Sequence, residues 1–446
     1  MKLPHILNTL IIAGSLLTPT FTADATNPYS PLEAPTPGRI TILAKTPFNS
    51  GKTSEITEAR FKEAAECGFN AVSIADSDDC IARGFRAAAG SGLKIVICQG
   101  SKGMQEMSQL VNMYKDNPLL AGYEMRDEPK FSYLPELKDI YEKVRELDPK
   151  HMAYINLAVD FGTNEELKKK YIGETGSHNK YLKLIQKMFH PVVWSYDFYP
   201  IASRQGKTIV NVTDFFKYMQ LFHDEAKTTE RPFWTYSMCM PYAYNCGDVT
   251  PAALTDGTAN GRLVPTEGEL RFEAFSSLAY GAQGIVYWAY TQRPPQGPLT
   301  GTTAKYSEYY LSAPIDIDGN KTEIWYSVRN VNNEIRAFND VFYGCKVIDV
   351  VHTSKTYPGT KAYTPEFGYF KTLETGTEGV LVSHLHNKGK DYIMIVNHDP
   401  LHPQTIQIEF QNPRKITEML PTGKRKPVTS KTRTLSPGGY ILYRLK

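Results

Sequence analysis

The chain has 446 residues, of which 41% are hydrophobic and 22% charged, and its 50 Lys plus Arg against 47 Asp plus Glu leave a formal net charge of +3. That much apolar residue excludes a disordered chain, and the near-cancelled charge excludes a polyanion-binding surface, so no nucleic-acid partner is expected. Length alone suggests about three domains, although one barrel of about 250 residues with an accessory domain fits as well.

The first residues join a basic start at Lys2 to an apolar run from Ile6 to Leu17, followed by small residues that include Ala23 and Ala25. This pattern predicts a cleaved signal peptide over residues 1–25 and a secreted or periplasmic protein. The run is too short to span a membrane and no later run reaches about 18 residues, so no membrane span is expected.

From about Gly38 short apolar runs alternate with longer amphipathic segments. Eight runs begin at Arg39, Phe69, Lys94, Leu119, His151, Val192, Pro232 and Gly284. Segments of helical period lie between them, such as Glu58 to Gly68 and Leu134 to Asp148. Near-continuous apolar strands separated by helices imply a parallel sheet covered on its outside, and eight such units imply an α/β fold of the (β/α)8 TIM-barrel type over residues 26–343. The competing open, doubly wound sheet has no GxGxxG turn to support it. After the eighth run, Lys321 to Phe342 reads as a closing helix. From about Cys345 the runs at Gly379, Asp391, Thr405 and Gly439 are β-rich and separated by turn residues, which predicts a small C-terminal β-sandwich over residues 344–446. The basic turn at Gly423 reads as a solvated hairpin.

Six cysteines (Cys67, Cys80, Cys98, Cys239, Cys246 and Cys345) are too few and too scattered for a disulfide-built scaffold. Cys239 and Cys246 are near enough in sequence to close a loop, with buried free thiols as the alternative. No CxxC pair or HExxH spacing occurs and the 10 His are dispersed, so neither a metal nor a cofactor is expected.

Barrel active sites lie at the carboxyl ends of the strands, where this sequence offers Lys45, Asp76, Gln99, Asp127 with Glu128, Asn156, Asp197 with Tyr199, Tyr236 with Ser237, and Trp288 with Tyr290. The rim is neutral to acidic with aromatic walls. The glycine-bearing turn at Gly281 precedes the eighth strand on the opposite face, which disfavours phosphorylated substrates. Fourth-strand residues Arg126, Asp127, Glu128 and Pro129 are the most informative, because a Glu among carboxylates and rings can keep its proton and donate it to a leaving oxygen.

The run around Glu128 resembles the strand-four motif of the large glycoside hydrolase clan with (β/α)8 barrels, in which an Asn-Glu pair carries the acid/base Glu. The segments at Val193, Pro232 and Ala279 are similar to family 42 glycoside hydrolases, the β-galactosidase family, and the stretch from Leu435 resembles the β-sandwich ends of such enzymes. The resemblance implies a glycosidase acting on a carbohydrate, with Glu128 as general acid. Two departures stand out. Asp127 occupies the Asn position, and the end of strand seven, Thr235 to Cys239, has no carboxylate where the clan carries its nucleophile.

The candidates for the second group are Asp197, as base for water in an inverting reaction, Glu267, Tyr236, Cys239 and Asp76. Pro265 to Glu269 also reads as a capping box, with Thr266 as N-cap and Glu269 reaching back. Trp288 suits a sugar-ring platform, Trp194 suits the core, and Tyr123, Tyr199, Tyr236 and Tyr290 are candidate rim residues. The leading expectation is a secreted glycoside hydrolase with catalytic Glu128 and Asp197, with Asp76, Asp127, Asn156, Tyr199, Tyr236, Glu267 and Trp288 binding substrate. The alternative is a glycan-binding protein on a degenerate hydrolase barrel. A lyase or transglycosidase with Tyr236 or Lys45 as base is a third.

Overall fold

In the computed structural model the described residues are 35–48, 53–75, 77–98, 102–159, 164–204, 207–244, 261–294, 308–428 and 431–446. The leader, Asp76, Gln99 and Cys246 lie outside them.

Eight parallel strands close into a barrel: β1 (Thr41–Ala44), β2 (Ala71–Ile74), β3 (Lys94–Cys98), β4 (Leu120–Asp127), β5 (Met152–Leu157), β6 (Trp194–Tyr196), β7 (Phe233–Met238) and β8 (Gly284–Trp288). β8 pairs back onto β1, with Thr41 opposite Gly284. Each strand falls on one of the eight apolar runs. The runs are continuous rather than alternating because both faces of each strand are buried. Leu43, Ala71, Val96, Ala121, Met152, Trp234 and Val286 form one apolar cluster. Residues drawn from that many different strands can meet only inside the barrel. Their neighbours Ile42, Val72, Ile95 and Ile285 belong to a second cluster with the surrounding helices.

The helices obey local signals. Helix α1 (Glu58–Glu66) opens at Thr57, whose side chain accepts from the Arg60 amide. It closes before Gly68, which has φ +93° and leaves no room for a Cβ against Asn332. The predicted capping box is present on the helix Glu267–Ala279, where Thr266 accepts from the Glu269 amide and Glu269 accepts from the Thr266 amide.

An element absent from the sequence reading lies beyond the strand ends. Segments that follow β6, β7 and β8 supply the short strands Ile201–Arg204, Lys207–Val210, Tyr242–Tyr244, Gly261–Arg262 and Glu308–Tyr310, which form a five-stranded antiparallel-paired sheet.

After helices Glu323–Ala337 and Asn339–Phe342, the chain builds a six-stranded sheet starting at Lys346–His352 and a three-stranded sheet of Phe370–Glu374, Gln404–Phe410 and Thr432–Leu435. Val382, Ile393, Ile395, Ile406, Ile408 and Phe410 fill the space between them. The other face of the larger sheet, with Leu381, Leu385, Met394 and Leu442, joins the barrel's helical core. Phe275 of the capped helix stacks on Tyr440 at 3.8 Å. Among the described residues no helix is long and apolar enough to cross a membrane.

Candidate active site

A cavity of about 270 Å³ at the carboxyl ends of the barrel strands is lined by Asp127, Glu128, Asp197, Tyr199, Tyr236, Tyr242, Trp288, Arg293 and Tyr310. A second cavity of about 320 Å³ opens at the amino-terminal ends, lined by residues such as Thr41, Met152, Val193 and Trp234. The second is larger and has no acidic group in its lining. Chemistry rather than size therefore selects the first.

Strand pairing assembles the acids. Register sets Asp127 of β4 beside Asn156 of β5, and Asn156 beside Ser195 of β6. The Ser195 hydroxyl donates to Asn156 Oδ1 at 2.9 Å, which fixes the direction of the amide. Asn156 Nδ2 then donates to Asp127 Oδ1 at 2.9 Å and to Asp197 Oδ1 at 2.8 Å. Those two carboxylate oxygens lie within two hydrogen-bond lengths of each other. Glu128 follows immediately with φ +40°, a conformation that costs a non-glycine residue energy, and Pro129 further restricts it. Its amide is anchored on the Asn156 carbonyl at 2.9 Å. Among the described residues its carboxyl has no hydrogen-bonding partner.

A buried cation completes the floor. Lys45, at the end of β1, donates to Glu124 Oε1 at 2.7 Å and to Asp127 Oδ2 at 3.0 Å, and Tyr154 donates to Glu124 Oε2 at 2.8 Å. Burial alone would lower the Lys45 ammonium, but the Asp127 and Glu124 carboxylates hold it well above its usual value. Burial would likewise raise Asp127, yet Lys45 and the Asn156 hydrogen bond outweigh it and keep that carboxyl below the ordinary range. The Asp127 side chain is 44% exposed to the cleft, so an ionised carboxylate faces any ligand there.

The other two acids move the opposite way. Burial, then the Asp197 and Asp127 carboxylates, push Glu128 well above its usual value. Burial and Asp127 push Asp197 up to about 7 against the Asn156 hydrogen bond. The site thus pairs one firmly ionised carboxylate with two that hold protons far above their solution range. Divergent acidities of this kind mark acid and base roles.

Most of the predicted rim is brought together: Asp127, Glu128, Asp197, Tyr199, Tyr236 and Trp288 line the cavity and Asn156 bridges its acids. Glu267 is not brought there. Its carboxylate is taken by Arg271 and, at 2.8 Å, by Asn330, because a residue in the first turn of a helix finds its partner one turn on. Asp76 lies outside the described residues. Tyr123 and Tyr290 point away from the cavity into the helical layer, where the Tyr123 hydroxyl donates to Asp148 and that of Tyr290 to Glu63. Cys239 is a free, buried thiol held against the Ala289 carbonyl, and burial raises it well above its usual value, which is the wrong direction for a nucleophile. Tyr236 is buried with its hydroxyl unpartnered among the described residues. Burial and the Glu124 carboxylate raise this phenol, so it donates rather than acts as base. Lys45, held charged, is no base either.

The sequence reading missed Tyr242, Arg293 and Tyr310. They come from the segments beyond β7 and β8, where no periodicity marks an inward face, and the pairing of Tyr242 with Tyr310 across the covering sheet brings those two rings over the cavity. Trp288 also differs from a bare platform. The Arg293 guanidinium lies 4.9 Å and the Lys45 ammonium 5.5 Å from its ring centre.

No family model matches the chain, and no curated protein matches it in sequence. Among solved structures it is similar to a catalytic mutant of Gan42B, a GH42 β-galactosidase from G. stearothermophilus, with a TM-score of 0.59 and 10% identity over 93% of this chain and 99% of that one. A glycoside hydrolase family 5 structure from Bacteroides vulgatus matches with a TM-score of 0.48 and 12% identity over 91% and 89% of the two chains. At such identity the likeness to the GH42 structure is one of fold.

Proposed function

We propose that the protein is a secreted glycoside hydrolase acting on a poly- or oligosaccharide, with Glu128 as general acid and Asp197 as base for the attacking water in an inverting displacement. The observation that carries this reading is the asymmetry between the two acids. Asp197 accepts a hydrogen bond from Asn156 that stabilises its anion, whereas the Glu128 carboxyl accepts none among the described residues. Asp197 therefore ionises first, and its charge then holds the proton on Glu128. One protonated and one ionised carboxyl is the state that glycoside cleavage requires. Asp127, kept ionised by Lys45, faces the cation-like centre that forms as the bond breaks.

Turnover rises through about pH 7 as Asp197 ionises and falls at higher pH as Glu128 loses its proton. Glu128→Gln lowers the release of reducing ends by about 10²- to 10⁴-fold with the fold intact. Undiminished release by this variant would remove Glu128 from the reaction. Proton NMR of the first anomer released tests the stereochemistry, and net retention would exclude Asp197 as a water base. The competing reading, glycan binding without cleavage, is favoured by Tyr236 being the residue that β7 contributes to the cavity lining. Binding to an oligosaccharide panel with no reducing ends released would support it.

A further inference from the structure

Arg293 has no role in the acid/base chemistry, yet it lines the same cavity. Its guanidinium lies over the Trp288 ring at 4.9 Å. Among the described residues it makes neither an ion pair nor a hydrogen bond. The other cation of the site, Lys45, is saturated by two carboxylates at 2.7 and 3.0 Å. Arg293 raises no such claim on Asp127: it acts on that carboxylate only at longer range. A guanidinium packed over an indole ring still has N–H donors at its edge, and a guanidinium fork grips a planar oxyanion in two parallel hydrogen bonds.

The acids of the cavity leave Arg293 available to an anion. Lys45 is shared by Glu124 and Asp127, Asn156 donates to Asp127 and Asp197, and Glu128 keeps its proton, so none of these acids is held in an ion pair by Arg293. Its side chain lies over the Trp288 ring in the cavity lining, and its charge reaches Asp127 only at longer range.

We propose that Arg293 is an anion subsite and that the glycan bears an acidic substituent, a uronate carboxylate or a sulfate ester, on the sugar ring lying against Trp288. This deepens the hydrolase reading and rests on it for turnover, although not for binding. The test compares three matched oligosaccharide substrates: one containing uronate, the same substrate after carboxyl reduction, and a sulfated one. In the native protein kcat/KM on one of the acidic substrates exceeds that on the neutral substrate by at least about ten- to a hundredfold, the value of even one hydrogen bond to a charged group. In Arg293→Gln that ratio falls to near one, and Arg293→Lys, which keeps the charge and loses the fork, gives an intermediate ratio. Which acidic substrate shows the preference separates carboxylate from sulfate. A native ratio near one, or an equal loss on all three substrates in Arg293→Gln, overturns the proposal and assigns Arg293 to the Asp127 field instead. If no substrate is cleaved, calorimetric titration of the native protein and Arg293→Gln with D-glucuronate, D-glucose and D-glucose 6-sulfate decides the same point. Arg293-dependent preference for an anion supports the subsite, and equal binding by both proteins, or none, rejects it.

Discussion

Glu128 concentrates the tension in the site. Its backbone sits at φ +40° before a proline, and its carboxyl is buried near two other acids. Such strain persists only when the surroundings over-determine it, here through the Asn156 carbonyl and the β4–β5 register. Asp197 carries a related cost that can be read without any substrate. Its folded-state pKa of about 7 stands above the 3.8 of a free Asp, so between those values the unfolded chain is ionised while the folded one holds the proton. Stability attributable to this group is therefore full below about pH 4 and is lost as pH rises to about 7. Replacing it by Asn removes the dependence. Asp197→Asn is matched with the native protein at pH 4 and gains on the order of a few kcal/mol over it by pH 8. Urea unfolding at the two pH values measures this, and a constant offset between the proteins would contradict it.

Among the elements, the seam between the capped helix and the C-terminal sheet holds a buried histidine pair. His352 Nδ1 meets His398 Nε2 at 2.9 Å, and His352 Nε2 meets the Tyr280 hydroxyl at 2.7 Å. The His398 ring also contacts the Glu378 carbonyl at 2.9 Å, and Phe216 and Tyr357 pack around the pair. Burial lowers His398 to about 4 and, with His398 alongside, lowers His352 well below its usual value. Both rings fold neutral. Stability from the seam is present above about pH 6.5 and is lost as pH falls toward 4, because the unfolded chain takes up protons that the folded one refuses. A melting temperature that declines over that window is expected, and a flat one would show that the pair protonates in place. At this scale the sequence reading succeeded where period and capping are local, as in the segment from Glu58 to Gly68, the cap at Thr266 and the eight apolar runs. It missed the covering sheet because strands of two to four residues carry no measurable alternation.

For the whole molecule, the C-terminal sheets are not an appendage. The larger sheet shares one apolar core with the barrel helices, and Phe275, fully buried, stacks on Tyr440 across the junction. Phe275→Ala should cost about 3–5 kcal/mol and leave a single unfolding transition at a lower midpoint, because barrel and sandwich lose the same contact. Two separated transitions in calorimetry would instead mean that the units fold independently.

Sequence alone determined the class of fold, since eight runs buried on both faces and separated by helical segments leave few packings other than a closed barrel. It also determined that acids gather at the strand ends, because strand direction decides which residues reach the mouth. Only the tertiary structure decided what each acid is. Asp127 and Glu128 are adjacent in sequence, yet Lys45, which holds one ionised, arrives from a strand eighty residues earlier, and Asp197, which holds the proton on the other, from one seventy residues later. Glu267, expected at the cavity, is held away from it, and Arg293, which the sequence did not mark, lines it, for the same reason. Acidity and partnership depend on burial and on charges a few ångströms away, and chain order does not encode those distances.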